Sequence, residues 1–208
     1  MKGFIRKHWQ LIVNWAVFIG IGRWIAEKAW VWYRAGELWQ FVEITFLAHM
    51  VVLLILVVIR TRHIAIDRSV LHQGIALVAF FSGLAFAGEK TTVAALLWSA
   101  KAVMSIALVL GILAQVNLGR SFAIFISRRR IKTDRLYGVI RHPMYFTDIL
   151  FKIGMFLKMI SWLNAAVLVL GVACYVYRAI LEERFLAQSR EYREYMKKVR
   201  YRLLPGIF

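Results

Sequence analysis

From Leu38 to Ile59 the only ionisable residues are Glu43 and His49. A helix needs roughly 20 predominantly apolar residues to cross the hydrocarbon core of a bilayer, and this stretch supplies them. Five further apolar stretches follow the same pattern: Trp9 to Gly22, Val70 to Ala87, Val93 to Ala114, Tyr145 to Met159 and Trp162 to Ala179. Inside lipid every backbone N–H and C=O must find its partner within the protein, so unbroken apolar runs of this length are expected as helices. The fold class expected is all-α, a polytopic membrane bundle of about six spans. The second, third and fourth stretches are long enough to span, the first and fifth are short, and the last two form a tight hairpin through Lys158-Met159-Ile160-Ser161. With 61% hydrophobic residues and a mean hydropathy of +0.64, a soluble single-domain protein is excluded.

Charge sets the expected orientation. The net charge of +17 comes from 28 Lys+Arg against 11 Asp+Glu. A basic excess lying between apolar runs marks loops on the anionic cytoplasmic leaflet rather than a nucleic-acid surface. Lys2, Arg6 and Lys7 precede the first stretch, Arg60, Arg62 and Arg68 follow the second, and seven basic residues from Arg120 to Arg141 follow the fourth. The other side receives Arg23, Lys28, Arg34 and Lys90, offset by Glu27, Glu37 and Glu89. Both termini are therefore expected in the cytoplasm. The first stretch runs past Trp15 without a small-residue cleavage site and closes at Arg23 and Trp24, so no signal peptide is expected. The Trp9, Trp15, Trp24, Trp30, Trp32 and Trp39 side chains read as interfacial anchors. A single cysteine, Cys174, excludes an intramolecular disulfide, and no metal site is expected.

Polar chemistry is confined to the Asn117 to His142 loop and the tail from Arg178 to Phe208, which reads as a helical continuation of the last span. Both prolines, Pro143 and Pro205, lie in this part. Pro143 is placed to open a helix, whose free N–H groups favour an anionic group. Arg141, Tyr145, Asp148 and Lys152 fall on one face of that helix. Arg178 and Glu182 share a face at i,i+4, which alone suggests an interfacial ion pair, while the adjacent Glu182 and Glu183 call for cationic partners or a cationic cofactor. His49 is expected to be packed or hydrogen-bonded, Lys101 and Lys158 to snorkel or line a cavity, and Arg128-Arg129-Arg130 to contact lipid headgroups.

Arg141-His142-Pro143-Met144-Tyr145 with Glu182-Glu183 downstream resembles the RHPxY…EE signature of the isoprenylcysteine carboxyl methyltransferase and phospholipid methyltransferase superfamily of integral membrane enzymes. The resemblance runs from about Asn117 to Pro205 and takes in Leu118-Gly119-Arg120-Ser121-Phe122, Tyr137, Arg178, Tyr192, Tyr195 and Arg202-Leu203-Leu204-Pro205. Two positions depart from it. Arg135 stands where the family commonly has a glycine two residues before the loop tyrosine, and Gln188-Ser189-Arg190 replaces the usual Phe-Gly before the tail tyrosines.

The resemblance implies two regions: membrane spans over residues 1–92 and a methyltransferase core over 93–208, with a cytoplasmic C-terminal cofactor-binding region. It implies S-adenosylmethionine as cofactor and a lipophilic small molecule or lipid arriving from the bilayer as acceptor. By the same resemblance Tyr137, His142, Pro143, Tyr145, Arg178, Glu182, Glu183, Tyr192 and Arg202 bind the cofactor. Arg141, Glu182 and Glu183 are the implied catalytic residues, with Arg141 at the reacting end of the acceptor. An NADPH-dependent sterol or steroid reductase shares a His-Pro-x-Tyr helix start but continues with Gly-Glu, where this chain has Phe146-Thr147-Asp148. A non-enzymatic membrane scaffold is the third reading.

Overall fold

A computed structural model describes residues 2–207 of the chain, with side chains described for residue 15 and from residue 18 onward. The charges of Lys2, Arg6 and Lys7 and the Trp9 ring lie outside the described residues. The helices are α1 (Lys2–Arg34), α2 (Phe41–Ile59), α3 (Val70–Phe81), α4 (Ala94–Leu118), α5 (Pro143–Lys158), α6 (Trp162–Leu186) and α7 (Arg190–Lys198). At 71% helix and 2% strand the chain is mostly helical. Among the described residues the strand content is a two-residue antiparallel ladder between β1 (Ala65–Ile66) and β2 (Ser127–Arg128).

Among the described residues three helices are long and apolar enough to cross a membrane: Phe41–Ile59, Ala94–Ser121 and Trp162–Leu186. The third stretch does not qualify as expected. Helix α3 has 12 residues and ends in a 3-10 turn over Ser82–Ala85; at 1.5 Å per residue it is about 18 Å long against a core of about 30 Å. The 16-residue α5 is also short. Helix α1 does not close at Arg23 and Trp24 but runs through Arg34, with an exposed Arg23–Glu27 ion pair at 2.8 Å along its face. The tail does not simply continue the last span. Helix α6 ends at Leu186, and Ser189 caps a separate α7 by accepting the Tyr192 N–H.

Small residues set how closely the helices approach. A Cβ on Gly154 of α5 would stand 2.4 Å from Met104 Cγ and 3.2 Å from the Ala100 carbonyl of α4. Membrane helices lack a hydrophobic drive toward one another, so such backbone-level packing is what holds them together. Gly111 admits the His49 ring in the same way. His49 is buried and its Nε2 lies 3.1 Å from the Gln115 amide, as expected for a hydrogen-bonded intramembrane histidine.

The bundle has two unlike ends. At one, buried Asn164 joins the α5–α6 hairpin to the loop before α4, bonding Ala87 through both its N–H and C=O and the Met159 carbonyl. Lys90–Glu37, Lys101–Gln40 and Lys158–Glu43 contacts lie at this end, so Lys101 and Lys158 stand away from the site described below. Trp39, Trp98 and Trp162 are strongly exposed here, a belt suited to a membrane interface. At the other end meet the C-termini of α2, α4 and α6 and the N-terminus of α5. Phe122, Ile124 and Ile126 of the α4–α5 connection plug into this end, fully buried against Leu53, Leu56, Val57, Ala76 and Leu181.

Candidate active site

A cleft of about 110 Å3, partly open to solvent, lies at this second end. Its position follows from local chemistry. Pro143 occupies the first turn of α5, where its missing N–H costs nothing and its fixed φ suits a helix. Two backbone bonds, Arg141 N–H to Tyr201 C=O and His142 N–H to Arg202 C=O, both 2.9 Å, bind the chain before α5 to the tail. The tail is folded back by the packing of Leu186, Tyr192, Tyr195 and Val199, and Tyr195 donates to the Tyr137 carbonyl at 2.6 Å.

The adjacent glutamates of α6 have different surroundings. Glu183 is buried and accepts Arg141 Nε at 2.7 Å, Arg141 Nη2 at 3.2 Å and Arg202 Nε at 2.7 Å, with His142 Nε2 at 3.1 Å. Arg141 also donates Nη1 to the Val199 and Arg200 carbonyls at 2.9 and 3.0 Å. This cluster binds the start of α5, the end of α6 and the tail into one unit. Glu182 instead lines the cleft, accepts the Tyr145 hydroxyl, and has no salt bridge among the described residues. Successive residues of a helix point about 100° apart, so only one of the pair can face the opening.

Tyr145 lies beside Glu182, its ring stacked on His142 at 5.0 Å and approached by the Arg178 guanidinium at 4.8 Å. The i,i+4 ion pair between Arg178 and Glu182 does not form. Arg178 is buried and donates to the Ala76 and Ile124 carbonyls at 3.1 and 2.6 Å, tying α3 and the connecting loop to α6. Asp148 accepts the Tyr175 hydroxyl at 2.6 Å and also lines the cleft. Burial pushes the phenols of Tyr137, Tyr192 and Tyr195 well up, and nearby Glu182 adds to this at Tyr137 and Tyr192, so all three stay protonated at neutral pH.

Of the residues singled out from sequence, Tyr137, Arg141, His142, Tyr145, Arg178, Glu182 and Tyr192 line the cleft. Glu183 and Arg202 stand behind it as an ion pair, and Pro143 starts α5. Asp148 and Arg129 are among the lining residues not proposed as site residues. Asp148 is legible from its spacing to Tyr145. Arg129, expected at lipid headgroups with Arg128 and Arg130, is buried in the lining, and its Nε and Nη1 find no partner among the described residues. An unsatisfied buried donor costs about 1–3 kcal/mol.

Backbone strain coincides with a departure noted in the sequence. Arg135 has φ +52°, the left-handed region that favours glycine, at the position where the superfamily commonly has one. The family model described as phospholipid methyltransferase matches residues 92–193. Over this segment the chain is similar to that family. The family lies within the isoprenylcysteine/phospholipid methyltransferase superfamily that the sequence motifs resemble. The match covers α4 to α6, the loop between α4 and α5, and the start of α7, and so most of the cleft lining. No curated protein matches the chain.

Proposed function

We propose that the chain transfers a methyl group from S-adenosylmethionine to a lipophilic acceptor that enters from the bilayer. The observation that carries this reading is the cleft itself, where Glu182 and Asp148 stand among Tyr137, Tyr145 and Tyr192 in the segment matched to methyltransferases. Carboxylates and aromatic faces favour cations, and a cofactor with sulfonium and ammonium charges fits such a lining. When bound, S-adenosylmethionine supplies an electrophilic methyl group. The rest is positioning by the protein, because displacement at a methyl carbon needs alignment and exclusion of water more than proton transfer.

In this reading Glu182 and Asp148 hold the cationic part of the cofactor, and Tyr145 fixes the Glu182 carboxylate through its hydroxyl. Tyr192 and Tyr137 line the side covered by the tail. Glu183, Arg141, His142 and Arg202 act as positioning residues: they lock the tail over the cleft. Arg141 has its guanidinium committed to Glu183 and two carbonyls, which favours this role over contact with the acceptor. An amine or thiol acceptor would find Glu182 the nearest candidate base, whereas a carboxylate acceptor needs none. The basic loops favour a cytoplasmic cleft and termini, and access to a soluble cofactor requires the same.

Thermal unfolding of the detergent-solubilised protein tests the proposal. S-adenosylhomocysteine at 100 times its Kd should add about 2.7 kcal/mol of apparent stability, and NADPH should add none. Stabilisation by NADPH alone would transfer the chain to the reductase reading.

A further inference from the structure

Buried Arg129, with donors to spare among the described residues, lines the cleft, and further basic residues stand beside it. Arg60 ends α2, and the chain after it lies along the α4–α5 connection. Thr61 N–H bonds the Arg120 carbonyl at 2.9 Å and Ile64 N–H bonds the Arg128 carbonyl at 2.8 Å. This pairing places His63 next to the Arg129 position and brings the Arg60 charge close to both. Arg129 and Arg60 are buried, His63 half-buried. Burial, and then the Arg60 charge, lower the Arg129 guanidinium to about 10; burial and the two arginines lower His63. Two guanidinium nitrogens of buried Arg129 without a partner among the described residues, with like charge nearby, describe a site short of an anion.

We propose that Arg129, with Arg60 and His63 beside it, binds a phosphate oxyanion at the rim of the cleft. The depth argues for this ligand. Arg60 immediately follows the last residue of a membrane-spanning helix, Ile59, the level at which lipid phosphates lie. A guanidinium fork bonds two phosphate oxygens at once, and the neighbouring positive charge suits a ligand bearing one or two negative charges. Arg129 lines the same cleft as Glu182. A phosphate held there by one end of an amphiphile leaves the rest of that molecule within the cleft or the adjoining bilayer. The site rests on the methyltransferase reading only for its use in acceptor recognition; the binding itself stands apart from it.

The experiment uses the full chain in dodecyl maltoside, a detergent without phosphate, and measures binding without cofactor. One arm titrates inorganic phosphate; the other titrates lysophosphatidic acid against a monoacylglycerol of the same chain. The phosphate-bearing probe should bind saturably, and Arg129→Gln should weaken it about tenfold, the loss of one charge-assisted pair. Arg128→Gln removes the same charge outside the cleft lining and should leave binding within about twofold. Response to inorganic phosphate identifies a soluble phosphate as sufficient; response to lysophosphatidic acid alone identifies a lipid source, and either supports the site. Hydrogen exchange on the wild-type chain gives a reading independent of any variant: the probe should slow exchange over residues 60–66 and 126–130. Equal binding by wild type and Arg129→Gln, equal loss in Arg128→Gln, or no protection of those segments overturns the proposal. So does a loss in Arg129→Gln of S-adenosylhomocysteine affinity without loss of phosphate binding, since Arg129 would then serve the cofactor carboxylate. Failure of S-adenosylhomocysteine to bind the wild-type chain would strike the methyltransferase reading and leave the phosphate result standing.

Discussion

The two ends of the bundle both carry carboxylates near basic side chains, yet they spend them differently. At the closed end Glu43 is buried, its ion pair among the described residues is to Lys158 at 3.9 Å, and its Oε2 has no partner among them. At the cleft end Glu183 is met by Arg141, His142 and Arg202, all within 3.2 Å. The closed end is held chiefly by the Asn164 bonds and helix packing. The cleft end is assembled from three separate segments, which need a common charged centre to keep an opening between them. The difference teaches that a fully partnered charge holds shape, while Glu182 and Arg129, under-partnered at the opening, retain capacity for a ligand.

The largest effect expected is at that centre. Glu183→Gln leaves buried Arg141 without its counter-charge and should cost about 3–5 kcal/mol of stability, read as a fall in Tm with earlier proteolysis of the tail. A Tm close to wild type would break the comparison. Gly154→Ala, between the ends, forces α4 and α5 apart and should cost about 1–3 kcal/mol without altering ligand affinity in the protein that remains folded; chemical denaturation in detergent checks it. Arg135→Gly relieves a left-handed residue and should add about 1 kcal/mol. The smallest effect belongs to the closed end. Glu43→Gln should change stability by less than about 1 kcal/mol, because losing a long contact to Lys158 is offset by relief of a buried, poorly compensated charge.

How much of this was legible in the sequence depended on the range of the interactions that decide it. Helices α2, α4 and the membrane part of α6 are written in continuous apolar runs, and the start of α5 in Pro143. The shortness of α3 was not, because the apolar run continues through the 3-10 turn at Ser82–Ala85, where Ser82 lies close to Gly171 of α6. The motif residues were found, but their division of labour was not. Which of Glu182 and Glu183 faces the cleft is fixed by where the tail and α5 lie around α6, a tertiary matter that two identical neighbours cannot reveal. Arg129 was read as a headgroup contact because its burial depends on pairing with the segment after α2, dozens of residues away. The Arg178–Glu182 pair failed for the same reason, since two distant carbonyls outcompete a helical neighbour.

The central claim is that Glu182 serves the ligand and Glu183 serves the fold. Titration of S-adenosylhomocysteine into Glu182→Gln, alongside its unfolding curve, tests this most directly. The account predicts a Tm within about 2 °C of wild type, as for a ΔΔG under 0.5 kcal/mol, and an affinity reduced by at least about tenfold, as for a lost charge-assisted contact. Wild-type affinity in Glu182→Gln, or a collapse of its Tm to the level of Glu183→Gln, would contradict it.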